Sequence, residues 1–267
     1  MEELKRHKKR KMDVNISTLA GEDHNSLTAH EEWLVAETFK AVPDEKVIEE
    51  RMNLTATTRL ADVASMSVEH MKRKYPYLMD FERFVADFKR LTGVEIKEKL
   101  RLGLDLVISL AKKKHIKCED QVLQIIADAT QLQEEGRTLR TRHLLAVAAL
   151  RIIALNLKEQ TAVPALFVHE DDERVPLTPC VKYSGHNLEQ ADFLHLCVDK
   201  EQLFTVKNAE EGIIAVMSSF FVLNIVYGPK SFNTSTVLER LFLGLNVTTP
   251  RVVVTKFVNR VVQAMRR

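Results

Sequence analysis

The chain has 267 residues, of which 45% are hydrophobic and 28% charged, with 39 Lys and Arg against 37 Asp and Glu. That length and composition fit one large or two modest domains that bury a core without disulfides or metal. A formal net charge of +2 supplies no overall field that would by itself argue for a nucleic-acid or membrane partner; three cysteines cannot pair completely and, with no signal peptide, fit a reducing compartment.

The chain opens on its most polar stretch. Lys5, Arg6, Lys8, Lys9, Arg10 and Lys11 surround His7, and like charges at this density repel and stay extended in solvent. Two readings stand: a solvated basic tail, or a nuclear import signal that binds importin. Residues 1–25 are therefore expected to be a basic tail and loop.

Helices are predicted from there to about residue 160. Thr28-Ala-His-Glu31 reads as a capping box opening a helix through Phe39, and Pro43 as the start of another with Asp44 and Glu45 in its first turn. Ser67 precedes a helix that Pro76 must end. Asp80 opens the clearest amphipathic helix, with Phe81, Phe84, Val85, Phe88 and Leu91 on one face and Gly93 closing it. Further helices are expected from Glu95 towards Lys114, around Val122–Ala129, and over Leu144–Leu157, which is apolar nearly all round and should sit centrally.

The pattern changes after Thr161. Short apolar runs at Ala165–Val168, Cys180–Tyr183, Phe193–Val198 and Leu203–Val206 predict a small sheet, with Asp199–Gln202 as a four-residue hairpin loop. Gly212–Pro229 is then eighteen residues without a charge. A membrane span needs about 20 apolar residues, and this run is short of that and contains Ser218, Ser219 and Asn224. Asn208 with Glu210 and Glu211 makes a globular helix start, and Gly228-Pro229 a stop, so a buried helix over 209–227 is preferred to a span. A helix near Thr236–Leu243 and a last one beginning at Pro250, capped by Thr249, complete the chain.

Few residues point to chemistry. Cys180, His186, His195 and Cys197 are the only close set of metal-ligand types, but their spacings match no zinc motif. Cys180 with His195 is the alternative nucleophile–base pair, with nothing recognisable to orient the histidine. Phosphate-binding glycine loops, HExxH and GxSxG are absent, so no catalytic residue, metal or cofactor is assigned. Lys72-Arg-Lys74 and Lys112–Lys117 lie at helix C-termini, where cations complement the dipole. Arg137, Arg140 and Arg142 lie on the N-terminal side of their helix, where that explanation fails, and are the candidate contacts for an acidic protein or nucleic acid.

Met66–Ile96, MSVEHMKRKYPYLMDFERFVADFKRLTGVEI, and the later phrases LTPC, FLHLCVDKEQLF and NIVYGP resemble the C-terminal region of fish proteins similar to sterile alpha motif domain-containing protein 3, over roughly residues 50–245. No catalytic residue follows from that resemblance, and this chain has no evident N-terminal sterile alpha motif, so it does not imply self-association through one.

The expected fold is α+β: a predominantly helical part over 26–160, then a small, mainly antiparallel sheet with packed helices over 161–267, the two parts forming separate or continuous domains. The expected function is a non-enzymatic interaction protein of the nucleus or cytoplasm, with a protein partner, importin on its tail and nucleic acid as a further partner. The alternatives are a cysteine/histidine enzyme acting on a nucleic acid or protein, and membrane association through residues 212–229.

Overall fold

A computed structural model describes residues 22–266, so the Lys5–Lys11 basic run lies outside the described residues. The fold is α+β, with twelve α-helices and one four-stranded sheet among the described residues.

The first helices pack as short pairs. α1 (His24–Glu37) begins four residues before Thr28, because Asp23 and Ser26 make a reciprocal capping box; the Thr28 hydroxyl instead donates back to His24 O inside the helix. α2 (Glu45–Leu54) is capped by Asp44, leaving Pro43 outside it. α3 (Ala56–Ser65) and α4 (Val68–Lys74) follow, the latter capped by Ser67 and ended before Pro76. α5 (Phe81–Thr92) is capped by Asp80, which accepts from the Glu82 and Arg83 amides, and ends at Gly93 with φ +70°, a conformation only glycine adopts without strain.

One buried ion pair ties these helices together. The guanidinium of Arg59 (2% exposed) on α3 donates Nε–H and Nη2–H to the Asp87 carboxylate of α5 at 3.0 and 2.5 Å, Nη1–H to Thr55 Oγ1, and Nη2–H to Met52 O. Four of the five N–H donors of the fork are thus used, and a buried charge is tolerated when it is paired and hydrogen-bonded in this way.

α6 (Ile96–Lys112), α7 (Asp120–Glu134) and α8 (Thr138–Leu157) form a three-helix layer. Arg142 of α8 reaches Asp105 of α6, and Asn156 of α8 bonds Lys117 just beyond α6; α6 and α8 therefore run in the same direction. α8 buries nearly its whole circumference, as its composition requires.

α9 (Ala162–Leu166) is a single turn where an extended apolar run was expected, and the first strand is shorter for it. β1 (Phe167–His169), β2 (Cys180–Tyr183), β3 (Leu194–Val198) and β4 (Glu201–Val206) lie in chain order across the sheet, β1 parallel to β2 and the rest antiparallel. The β3–β4 connection is two residues rather than four. Asp199 and Lys200 both take positive φ (52° and 68°), the tight-turn geometry whose twist matches paired strands.

α10 (Ala209–Val222) lies across one face of the sheet. Asn208 caps it by accepting from the Glu211 amide, as expected, but it ends six residues before Gly228: Asn224 (φ 52°) takes the left-handed position expected of the glycine. Gly212 sits where a Cβ would meet Val181 Cγ2 at 3.0 Å and Phe167 Cε1 at 3.2 Å, so any side chain there would press the helix against the strands. Phe84 meets Phe204 edge-on at 5.3 Å, and Phe88 meets Phe221 at 5.2 Å, so α5 packs on both β4 and α10. One hydrophobic core runs through both parts of the chain, from Leu34 to Val261. No helix among the described residues is long and apolar enough to cross a membrane, and the uncharged run Gly212–Val222 is buried throughout.

α11 (Phe232–Val237) continues directly into a π-helical turn, Leu238–Phe242. The buried Glu239 carboxylate in that turn accepts from Tyr227 Oη (2.6 Å), the Thr248 amide (2.8 Å) and Thr248 Oγ1 (2.7 Å). Phe242 covers Gly103 of α6. α12 (Val252–Met265) starts two residues after Pro250 with no side-chain cap, so Thr249 does not act as one.

Candidate interaction surface

The three arginines singled out by sequence do not form one open basic face. They sit where the N-terminal ends of α8 and α10 meet α6 and the loop before β3, and each does something different.

Arg142 is a clasp. Its side chain is 12% exposed; Nε–H donates to Glu210 Oε2 at 2.7 Å, Nη2–H to the same oxygen, and Nη1–H to Asp105 Oδ1 at 2.7 Å. Arg101 Nε–H of α6 adds a longer bond to Glu210 Oε1, 3.3 Å. Glu210 lies in the first turn of α10, where the helix dipole favours a carboxylate. Burial alone would lower the Arg142 pKa, but the hydrogen bonds and charges of Glu210 and Asp105 outweigh it and raise it.

Arg140 is a brace. Its guanidinium donates to Ala191 O (3.2 Å) and to Glu189 O, satisfying carbonyls of the 3₁₀ turn Leu188–Gln190 and the residue after it. Burial lowers its pKa, with the positive charge of Arg137 adding to the effect and Asp192 opposing it. Arg137, at the N-cap of α8, makes no side-chain cap and is exposed. Of the three, it is the one presented to solvent at the unfavourable positive end of a helix.

His143 links the same elements from inside. It is 2% exposed; the Ala209 amide donates to Nδ1 at 3.1 Å, which leaves Nε2–H to donate to Leu188 O at 2.7 Å. That fixes the neutral ring and its tautomer, and burial lowers its pKa. His143 is given no role from sequence alone.

Around this braced junction three large apolar side chains stand in solvent: Leu102 (58%), Leu139 (58%) and Phe193 (74%). Leu102 and Leu139 each lie one turn before the Asp105–Arg142 contact on parallel helices, and Phe193 is two residues beyond the carbonyl that Arg140 holds. Phe193 was expected inside a central strand; β3 begins one residue later.

The cysteine and histidine candidates lie elsewhere, on the sheet face away from α10. Cys180 and Cys197 face each other across β2 and β3, both buried beside Val168, while His195 stands opposite Lys182. Burial, with a smaller contribution from Cys197, pushes the Cys180 thiol up to about 12. A nucleophile needs the opposite shift. Burial and Lys182 lower the pKa of His195, and His186 is an exposed loop residue. Among the described residues no three His, Cys, Asp or Glu side chains converge on a point that would hold a metal. One cavity of about 340 Å³ lies between α8, α9 and Tyr183, and its Arg151 is already paired with Glu189.

Compared with known protein families, curated proteins and solved structures, the chain matches none.

Proposed function

We propose that the protein is a non-enzymatic interaction protein that works in the nucleus or cytoplasm and contacts its partner at the end of the helical layer where α6, α8 and α10 meet. One observation carries the reading: Leu102, Leu139 and Phe193 are exposed around a junction held by the partly buried ion pairs of Arg142 with Glu210 and Asp105, beside the outward cation of Arg137. Exposed aromatic and aliphatic anchors on a pre-organised base, rimmed by charge, are what protein interfaces use. Arg140 and Arg142 belong to this site as its frame, and Arg137 as its contact. The resemblance to proteins similar to sterile alpha motif domain-containing protein 3 adds no chemistry to this reading. The Cys180–His195 alternative is disfavoured by the raised thiol pKa. The Lys5–Lys11 run is proposed to bind importin.

Crosslinking and mass spectrometry on tagged protein from cells, with and without nuclease, tests the reading. Leu139→Ser with Phe193→Ser is expected to remove the protein crosslinks while thermal unfolding stays unchanged. Retention of all partners by that variant would refute the site. A nuclear signal unchanged by deleting residues 1–12 would refute the import role.

A further inference from the structure

The distribution of charge along the chain is uneven in a way the net value hides. Six of the 39 Lys and Arg and none of the 37 Asp and Glu come after Glu239. The rest of the chain is thus net acidic, 33 cations against 37 anions, and its C-terminal end is purely basic.

α12 turns this into a surface. Val254, Phe257 and Val261 (0%, 2% and 0% exposed) form its inner face against the core. At 100° per residue, Thr255, Lys256, Asn259, Arg260, Gln263 and Arg266 fall within one arc on the opposite side, and all six are exposed. Among the described residues no carboxylate lies within ion-pair distance of Lys256, Arg260 or Arg266. Arg251, at the start, instead stacks on Phe232 at 4.4 Å.

The dipole does not explain this pattern. A cation near the C-terminus, such as Arg266, is favoured by it; Lys256, in the second turn, is not. Nor is α12 available as an amphipathic helix for a lipid surface, because its apolar side is already used by the core. What remains outside carries Lys256, Arg260 and Arg266 among side-chain amides and hydroxyls, with one exposed apolar side chain, Val252, at its start. Lys and Arg neutralise phosphates, and Asn, Gln and Arg pair with base edges in a groove wide enough for a helix. The major groove of B-form DNA is that groove; that of A-form RNA is too narrow and deep.

We infer that the outer face of α12 is a docking surface for double-stranded DNA. This rests on the interaction reading above and supplies the chemical class of a second partner, at a separate face.

The test is fluorescence anisotropy of the full chain with a labelled mixed-sequence 20-base-pair DNA, titrated at several salt concentrations. Lys256→Gln with Arg260→Gln is the α12 variant, Arg137→Gln the junction variant, and circular dichroism melting checks both folds. Expected are binding by the unmodified protein, at least tenfold weaker binding by the α12 variant, and a slope of log affinity against log salt reduced by about two, one phosphate contact per cation removed. The junction variant should bind DNA as the unmodified protein does. No duplex binding, an α12 variant with unchanged affinity, or preference for single-stranded RNA or polyglutamate at the same salt would overturn the inference. In each of those cases the crosslinks lost by the Leu139/Phe193 variant still decide the junction reading separately.

Discussion

Replacing Glu210 by Gln separates a framing role for the Arg142 clasp from a partner-binding role. The substitution keeps the shape and one acceptor but removes the charge from a side chain that is 9% exposed. Two hydrogen bonds from Arg142 reach Glu210. Charge-assisted bonds contribute about 1.5–3 kcal/mol each and neutral ones about 0.5–1.5, so the loss is about 1 kcal/mol per bond, or about 2 kcal/mol in all. An independent bound agrees: two unit charges at 4 Å attract by about 4 kcal/mol at an effective dielectric of 20, and Arg142 keeps Asp105 as a second partner. For a chain of this size about 2 kcal/mol lowers Tm by roughly 4–8 °C. Arg101→Gln is the internal control. Arg101 is 53% exposed and contributes one 3.3 Å bond, so its replacement should cost under about 1 kcal/mol. Urea unfolding of both variants and of Arg142→Gln, closed as a double-mutant cycle with Glu210→Gln, measures the coupling. A loss below about 0.5 kcal/mol in Glu210→Gln, or a coupling near zero, would refute the clasp and return Arg142 to the surface as a partner contact.

Gly103→Ala places a Cβ 2.2 Å from Phe242 Cγ, so it should destabilise by about 1–3 kcal/mol through overpacking, and adding Phe242→Leu should restore part of that in the same urea assay. His143 has a lowered folded-state pKa, so the unfolded chain takes up its proton first. The stability from the neutral ring is present above its unfolded pKa of about 6.5 and is lost as pH falls below it; the drop in urea midpoint from pH 7.5 to 5.5 should shrink in His143→Gln, and an equal drop in both would contradict the assignment. An aromatic disulfide reagent at pH 8 should modify the half-buried Cys118 first, and Cys180 and Cys197 only after unfolding; fast native labelling of Cys180 would reopen the nucleophile reading.

Locally encoded elements were readable from sequence. α5 combines an Asp N-cap, one apolar stripe and a terminal glycine, and each signal points to the same boundary. Where two local signals competed, pattern alone chose poorly: Asp23/Ser26 won over Thr28/Glu31, Asp44 over Pro43, and Asn224 over Gly228. The Asp199-Lys200 turn was misread because Asp tolerates positive φ but Lys200 does not favour it; strand pairing imposes the conformation on the lysine. The junction was hardest to read. Arg140 and Arg142 bond residues 49, 51 and 68 positions away, and no spacing rule shows that a cation's partner waits on a loop or helix not yet placed. The acid-free run after Glu239 was legible in composition, but which side of α12 faces outward depends on the packing of Val254, Phe257 and Val261.

The position of α10 sets a schedule for the chain. α5, α6 and α8 all pack on it, yet it is synthesised last of the four. As the chain leaves the ribosome, the inner side of Phe88 emerges before Phe221 exists to cover it. At about 5–20 residues per second, the helical half therefore exists for several seconds before the helix it packs on. A chain ending before residue 222 leaves the packing of α5, α6 and α8 incomplete.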